Sequence, residues 1–128
     1  MAHFAELDSD NTVLRVLVVA NAKITDESGV EQEFLGVQYL RELFGADTSW
    51  VQTSYNSNFR KHYAAPGGKY YPNLDVFLPP KPYASWGVNP ETLEWQAPVP
   101  YPSNSSQIYF WDEASRSWKL NKALSVPV

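Results

Sequence analysis

A weak internal repeat in the second half of the chain restricts its fold more than any other feature of the sequence. The segment 77–83, FLPPKPY, is answered eighteen residues later by the segment 95–101, WQAPVPY. Each consists of an aromatic residue followed by a connector that ends in Pro-x-Pro-Tyr. Because proline has no backbone N–H and favours polyproline II geometry, we expect the connectors to be extended and to separate neighbouring structural units.

Three seven-residue intervals accompany this repeat and predict three short hairpins. Each interval begins and ends with an apolar residue and encloses turn formers such as Pro-Asn, Asn-Pro or Asp-Glu. The two ends of an interval are therefore expected to lie opposite each other on antiparallel strands. The intervals are Tyr70 to Phe77, Val88 to Trp95 and Trp111 to Trp118.

The first half of the chain predicts a β-hairpin and a further strand. Residues 2–7 are followed by the polar turn 8–11, DSDN, and then by the run 12–20, TVLRVLVVA. Since Arg15 is the only charge in this run, we expect it to form the central strand of a sheet, covered on both faces. The sequence also predicts a strand over 50–55, a turn over 56–58 and a positively charged loop over 59–68.

An amphipathic helix is predicted over residues 30–44. Acidic residues open it and Gly45 follows it, as the helix dipole and a left-handed C-terminal cap favour. Glycine is a poor helix former, so we expect Gly36 to mark close packing of the helix backbone on the sheet. The face expected to pack on the strand 12–20 consists of Phe34, Val37, Leu40 and Phe44.

Together these elements predict an α+β fold. We expect residues 1–69 to form a core with a small antiparallel sheet and one helix. Residues 70–128 are expected to form an extension of aromatic hairpins joined by proline-rich connectors. Because this extension has few aliphatic residues, we expect that it does not fold independently. Its last part, 121–128, is predicted to be extended.

The composition excludes several classes of function. Ten Lys and Arg against fourteen Asp and Glu give a net charge of −4, and no basic cluster is present, so nucleic-acid binding is not expected. No apolar run approaches the roughly 20 residues that span a bilayer, so no membrane insertion is expected. The chain has no cysteine and only two histidines, which excludes disulfide scaffolds and structural zinc. The first ten residues lack a secretory signal, and we expect the protein to stay inside the producing cell.

The motifs provide no catalytic constellation. His62 has the chemistry of a general base, but the sequence around it offers no Ser or Cys nucleophile, so a surface-loop histidine is the better interpretation. A glycosidase-like carboxylate pair stays open as a minor alternative. We therefore predict a non-enzymatic protein with no catalytic residue, cofactor or metal. The carboxylates of that alternative are Asp112 and Glu113, paired with Glu91 or Glu94.

The aromatic residues of the second half admit two interpretations. They form either the core of the hairpins or a platform on which sugar rings stack. We favour the core because hairpins with few aliphatic residues must bury aromatic area instead. The predicted structural anchors are Trp95, Trp111 and Trp118. The residues predicted to be more exposed and to contact a partner are Tyr83, Trp86 and Tyr101.

Five segments of the chain carry a resemblance: VEQEFLGVQYLRELFG, WVQTSYNSNFRKHYA, FLPPKPYASWGVNPETLEW, APVPYP and YFWDEASRSW. In order and wording they resemble a family of short aromatic and proline-rich proteins of unassigned role from tailed bacteriophages of marine bacteria, especially cyanophages. The combined signature is WVQTSYN, then PPKPYxSW, then WDE…SW. Residues 65–73 depart from the family's pattern, which has a Gly-rich aromatic stretch there. The resemblance implies a phage origin and a particle-associated role, and it brings no catalytic residues.

The expected function is that of a virion component. We expect a capsid decoration or tail accessory protein that binds the capsid or tail surface through protein–protein contacts, with self-association as a further possibility. Its expected location is the virion, and the host cytoplasm before assembly. Two alternatives stay open: a glycan-binding module that aids adsorption, and an early phage protein that binds a host protein.

Overall fold

The structure, a computed structural model, describes residues 1–103 and 106–123. In these ranges it shows one α-helix and nine β-strands, which confirms the predicted α+β fold. Residues 124–128 of the predicted extended end lie outside the described ranges. The elements are β1 (Ala2–Leu7), β2 (Val13–Val19), a 3₁₀ helix (Asn21–Lys23), α1 (Glu33–Phe44), β3 (Ser49–Thr53), β4 (Lys69–Tyr71), β5 (Val76–Leu78), β6 (Gly87–Val88), β7 (Trp95–Gln96), β8 (Tyr109–Asp112) and β9 (Ser117–Leu120).

The chain divides into two compact units, Met1–Pro80 and a second that begins at Lys81. The sequence predicted a division after residue 69 instead. The difference arises because the hairpin of β4 and β5 belongs to the first unit. Phe77 on β5 is 1% exposed and packs in the same core cluster as Val13 of β2.

A three-stranded antiparallel sheet in the order β2-β1-β3 forms the centre of the first unit. The prediction that the run 12–20 is the central strand is therefore wrong. The central strand is β1, whose consecutive residues Phe4 and Ala5 point to opposite faces and are both fully buried. β2 lies at the edge, where Leu14 and Val18 are about half exposed. Burial on both faces follows from having a partner strand on each side, which a run of apolar residues does not report.

The two faces of β1 carry separate core clusters. The first consists of Ala2, Phe4, Val19, Ile24, Leu40 and Trp50. The second consists of Ala5, Leu7, Val13, Ala64 and Phe77. The sheet is thus covered by α1 on one face, and by β5 and the loop before β4 on the other. This arrangement gives a domain of fewer than 100 residues two apolar layers to bury.

The helix begins at Glu33 rather than at residue 30. The carboxylate of Asp26 accepts a hydrogen bond from the backbone N–H of Val30 at 2.9 Å. Thr25 and Glu31 form an antiparallel bridge. These contacts hold the residues before the helix in an extended loop, so the acidic start of the helix is shorter than predicted.

Gly45 ends the helix, as predicted. Its N–H donates to the carbonyl of Arg41 at 2.9 Å. Its backbone has φ 124° and ψ 146°, a region that residues with a side chain rarely adopt. The predicted left-handed cap is therefore wrong in its geometry, although a glycine is required at this position.

The buried face of α1 differs from the predicted one. Leu40 is 2% exposed and Val37 packs beside it, as expected. Phe34 and Phe44 were expected in the same face, but they are 62% and 43% exposed. The ring of Phe44 lies 5.6 Å from that of Trp50, at the margin of the core.

Gly36 explains this rotation of the helix. A Cβ atom at Gly36 would lie 2.2 Å from Cζ of Phe4, so the glycine lets the helix backbone approach the sheet, as predicted. Phe34 lies two residues earlier, about 200° away around a helix of 3.6 residues per turn. When Gly36 faces the sheet, Phe34 therefore points to solvent.

Arg60 links α1, β3 and the hairpin of β4 and β5. Its guanidinium contacts Glu33 twice, with Nη1 to Oε2 at 2.7 Å and Nη2 to Oε1 at 3.1 Å, and its Nε donates to Asp75 at 2.8 Å. Burial opposes the charge, but the hydrogen bonds to Glu33 and Asp75 outweigh it and raise the pKa of Arg60. Hydrogen bonds from the Tyr70 hydroxyl and from Arg60 lower the pKa of Asp75. Part of the positive charge predicted for the loop 59–68 is thus neutralised inside the unit.

The three hairpins predicted from the seven-residue intervals are confirmed. β4 pairs with β5, β6 with β7 and β8 with β9, all antiparallel. In each hairpin the two ends of the interval are direct cross-strand partners. The pairs are Tyr70 with Phe77, Val88 with Trp95, and Trp111 with Trp118.

A common loop accounts for the constant interval. In the hairpins of β4–β5 and β8–β9, four residues separate the last paired position of the first strand from the first paired position of the second. In that of β6 and β7, the Asn89 N–H donates to the Glu94 carbonyl beyond the last strand pair, which leaves the same number of residues, 90–93, in the loop. The fourth loop residue has positive φ: 54° at Asp75, 57° at Leu93 and 50° at Arg116. A left-handed residue at this position completes the chain reversal, and it is uncommon outside glycine. The constant seven-residue interval therefore reflects one turn geometry that is used three times.

Candidate functional site

Five of the six aromatic residues singled out from the sequence meet in an aromatic cluster in the second unit, which Tyr109 completes and from which Trp95 is absent. Neighbouring ring centroids within it lie 5.0–6.2 Å apart, mostly edge to face. Trp111 is 6% exposed, and it is the only fully buried apolar residue among those described from Lys81 onward. The cluster consists of Tyr83, Trp86, Tyr101, Tyr109, Trp111 and Trp118.

The hairpin of β8 and β9 and the second connector build one side of this cluster. The pairing of the two strands places Trp111 and Trp118 5.2 Å apart. The Trp118 indole N–H donates to the carbonyl of Val99 at 2.7 Å, and the ring of Tyr101 lies 5.0 Å from that of Trp118. The Tyr101 hydroxyl accepts a hydrogen bond from the backbone N–H of Tyr109 at 3.0 Å. The connector is thus held against the hairpin at two points.

Glu113 joins the hairpin to the segment that follows the first connector. Its carboxylate accepts hydrogen bonds from the Ser85 hydroxyl at 2.6 Å, the Ser85 backbone N–H at 3.0 Å and the Trp111 indole at 2.8 Å. These donors, the Ser85 hydroxyl first, lower the pKa of Glu113. Two parts of the sequence signature, PPKPYxSW and WDE…SW, are therefore in direct contact. The structure gives Glu113 a role as acceptor that the glycosidase alternative did not anticipate.

The second unit is expected to lose stability in acid through Glu113. A carboxylate with a lowered folded-state pKa stabilises the fold above the usual glutamate pKa of about 4.3, and this contribution is lost as the pH falls through the lower folded value. We expect Glu113→Gln to lower the melting temperature at neutral pH, and the difference from the parent chain to shrink below about pH 4. Melting curves followed by tryptophan fluorescence test this. Glu91→Gln, at an exposed position, is the control, and a pH-independent difference for Glu113→Gln would contradict the assignment.

The three residues predicted to contact a partner do not share one environment. Tyr83 and Tyr101 are 39% and 50% exposed. Trp86 instead packs edge-on against Trp111 at 6.0 Å and Trp118 at 6.2 Å. Its indole nitrogen is buried, with no hydrogen-bond partner among the described residues. Trp86 thus packs against two of the predicted anchors and, like Trp118, is partly buried.

The three predicted anchors also differ from one another. Trp111 is buried and Trp118 is partly buried against it. Trp95 pairs with Val88 and is partly exposed, with the Lys81 ammonium 5.7 Å from its ring centroid. Lys81 and Val99 occupy equivalent positions in the repeated segments 77–83 and 95–101. Each contacts the tryptophan on the second strand of the next hairpin, Trp95 for Lys81 and Trp118 for Val99. The two connectors therefore reach equivalent tryptophans through different contacts, the first through the Lys81 ammonium and the second through the Val99 backbone carbonyl.

Six large apolar side chains of the second unit are exposed. This exposed apolar set includes residues from the connectors, from both strands of the last hairpin and from the segment before it, each at least 36% exposed. No aliphatic residue of the described part of this unit is fully buried. The set consists of Tyr83, Val99, Tyr101, Ile108, Phe110 and Leu120.

The sequence did not predict the groove that lies on the outer side of α1. It has a volume of about 710 Å³, with Phe34, Val37 and Trp50 among its lining residues. The helical periodicity placed Phe34 in the core, so no groove was expected there. The position of Gly36, two residues along the helix, is the signal that would have turned Phe34 outward.

No group of three His, Cys, Asp or Glu side chains in residues 1–103 and 106–123 is placed to hold a metal ion. Within the same ranges, no helix is long and apolar enough to cross a membrane. The contacts of the aromatic cluster are those of packing and of hydrogen bonds to an acidic side chain.

Comparisons with known proteins add no family to this picture. Neither the family models, nor the curated proteins, nor the solved structures contain a match to this chain.

Proposed function

We propose that this chain is a non-enzymatic component of a phage particle that binds a capsid or tail protein through the exposed apolar set of its second unit. The observation that carries the proposal is the contrast within that unit. One tryptophan is fully buried, whereas six large apolar side chains are exposed. Apolar surface of this kind on a small unit is typical of a surface that a partner protein covers.

The proline-rich connectors support this proposal. They carry Tyr83, Val99 and Tyr101 of the exposed apolar set on backbone that is already restricted by proline, although the chain bends at 82–83 and 98–99 and is not fully extended as predicted. A restricted segment loses less conformational entropy on binding than a flexible one, so more of its contact energy remains as affinity. The phage resemblance of the sequence supports a particle as the site of binding.

A glycan-binding function is the second candidate, because the rings of Tyr83 and Tyr101 are partly open to solvent. Stacking of a sugar favours a flat apolar surface. Tyr101 stands at 71° to Trp118 and at 88° to Tyr109, so these rings do not form one plane. The geometry therefore favours a protein partner over a glycan.

The proposal predicts that the chain is present in purified particles and that its attachment depends on the exposed apolar set. We expect the double variant Ile108→Ser/Phe110→Ser to fold normally but to be depleted from particles at least about tenfold, as loss of an apolar contact centre would cause. Quantitative mass spectrometry of gradient-purified particles measures this.

The matched control is Leu43→Ser, which changes an exposed apolar residue of the first unit. Absence of the chain from particles would contradict the proposal, and so would equal retention of the double variant and the parent chain. A glycan array with the same proteins tests the second candidate directly.

A further inference from the structure

The two outer edges of the three-stranded sheet differ in how far their backbone groups are already hydrogen-bonded. On β3, the backbone N–H of Gln52 donates to Glu33 Oε2 at 2.7 Å, and its carbonyl accepts from Arg60 Nη1 at 2.8 Å. Glu33 and Arg60 also pair with each other. The ion pair therefore occupies the backbone groups that a further strand would use, and it closes this edge to strand addition.

The opposite edge, on β2, is closed only at its beginning. Val13 exchanges backbone hydrogen bonds with Gly67 and Gly68 at 2.9 and 2.8 Å. From residue 14 to Val19, no backbone hydrogen bond from the described residues outside the sheet reaches the strand. Backbone donors and acceptors on an open edge are satisfied best by another β-strand.

The side chains of β2 do not discourage a further strand from pairing at this edge. A charged residue on an edge strand usually discourages pairing. Arg15 is the only charge on β2, and it is drawn onto its own unit, with its Nε 2.7 Å from Glu6 and its guanidinium 4.4 Å from the Phe44 ring centroid. Val18 remains 53% exposed. The edge therefore combines open backbone groups with exposed apolar area.

We propose that β2 pairs antiparallel with β2 of a second copy of this chain, so that the two three-stranded sheets join into one of six strands. The ladder between β1 and β2 is irregular near Glu6 and Leu7, so the regular open stretch runs from Arg15 to Val19. Its midpoint is Leu17, which lies opposite Leu17 of the second copy. Val16 then lies opposite the second copy's Val18 and buries it.

Charge and sequence favour a second copy over an unrelated strand. In this register Arg15 lies opposite the second copy's Val19, at the two ends of the ladder, so the two like charges are not adjacent. Every direct pair except these end pairs is apolar on both sides. The strand is thus complementary to itself without any rearrangement of its side chains.

The oligomeric state tests the proposal. We expect the parent chain to reach nearly twice its monomer mass of 14.5 kDa at high concentration in sedimentation equilibrium. Val18→Lys, at an exposed position, is expected to raise the dissociation constant at least about tenfold while circular dichroism stays unchanged. The control Leu43→Lys, on α1, is expected to leave the dimer intact. A parent chain that is monomeric at its highest soluble concentration would overturn the proposal, as would a folded Val18→Lys variant that dimerises like the parent.

The register has a test of its own, because the chain contains no cysteine. A mixture of the variants Val16→Cys and Val18→Cys is expected to cross-link several-fold faster with a short bifunctional thiol reagent than either variant alone. Equal rates in all three samples would refute the antiparallel register about Leu17. Both experiments concern the first unit, so their failure would leave the proposed particle binding by the second unit unaffected.

Discussion

Replacing Leu40 by alanine is expected to lower the free energy of unfolding of the first unit by about 2–5 kcal/mol. Leu40 is 2% exposed and packs in the cluster of Phe4, Ile24 and Trp50, so the truncation removes apolar contacts and leaves a cavity. Denaturant melts followed by circular dichroism measure the change. The matched control is Leu43→Ala on the same helix, where the side chain is 57% exposed and the expected loss is below about 0.5 kcal/mol.

The comparison of these two leucines tests where along its length α1 packs on the sheet. Both changes remove the same atoms from the same helix and carry the same change in helix propensity. Leu43 follows Leu40 by three residues, about 60° around the helix, so the two side chains lie on the same side at different positions along it. Equal losses for the two variants would contradict the burial of Leu40 in the core cluster, and a larger loss for Leu43 would place the contact with the sheet at the end of the helix.

Replacing Trp111 by alanine is expected to destabilise the second unit by about 3–5 kcal/mol. Trp111 contacts Trp86 and Trp118, and its indole donates to Glu113, so the change removes the centre of the aromatic cluster. Because no other apolar side chain in the described part of this unit is fully buried, we expect the unit to unfold while the first unit stays folded. Hydrogen exchange resolved by peptide measures the two units separately.

Phe110→Ala provides the matched control on the same strand. Phe110 is 48% exposed, and we expect its removal to change stability by less than about 1 kcal/mol. Retained protection of β8 and β9 in the Trp111→Ala variant would contradict the assignment of Trp111 as the core of this unit. Loss of protection in Phe110→Ala would instead place part of the exposed apolar set inside the fold.

The hairpins of the second half were predictable because each is a local structure. The pairs Tyr70–Phe77, Val88–Trp95 and Trp111–Trp118 are separated by one short loop, and a loop of constant length forces a constant spacing. The aromatic cluster was predictable only in part. Five of its six members could be named, Tyr109 excepted, but the packing of Trp86 could not be predicted, since it depends on Trp111 and Trp118.

The role of Glu113 as hydrogen-bond acceptor in the aromatic cluster was not predictable from the sequence. Glu113 binds Ser85, 28 positions away in the chain, and no periodicity or motif links the two. The same applies to Arg60, whose partners Glu33 and Asp75 come from the helix and from a hairpin loop. Such contacts depend on where whole elements pack, which short-range patterns do not encode.

In the helix, some features follow from the sequence pattern and others only from packing. Its existence and its stop at Gly45 follow from local periodicity and from the conformational freedom of glycine. The predicted face of Phe34, Val37, Leu40 and Phe44 was wrong in its two phenylalanines, because the apolar residues extend around more than one side of the helix. The close contact between Gly36 and Phe4 selects the side that packs on the sheet.

By itself, the sequence determined the features that depend on neighbouring residues: the α+β class, the single helix and the three hairpin pairings. The tertiary structure alone decided that β1 is the central strand, that the first unit extends to Pro80 and that β2 lies at the edge of the sheet. Local features follow from turn geometry and side-chain period, which act over a few residues. Strand order and burial depend on which segments, distant in the chain, cover the same apolar surface. These contacts form only when the whole unit packs.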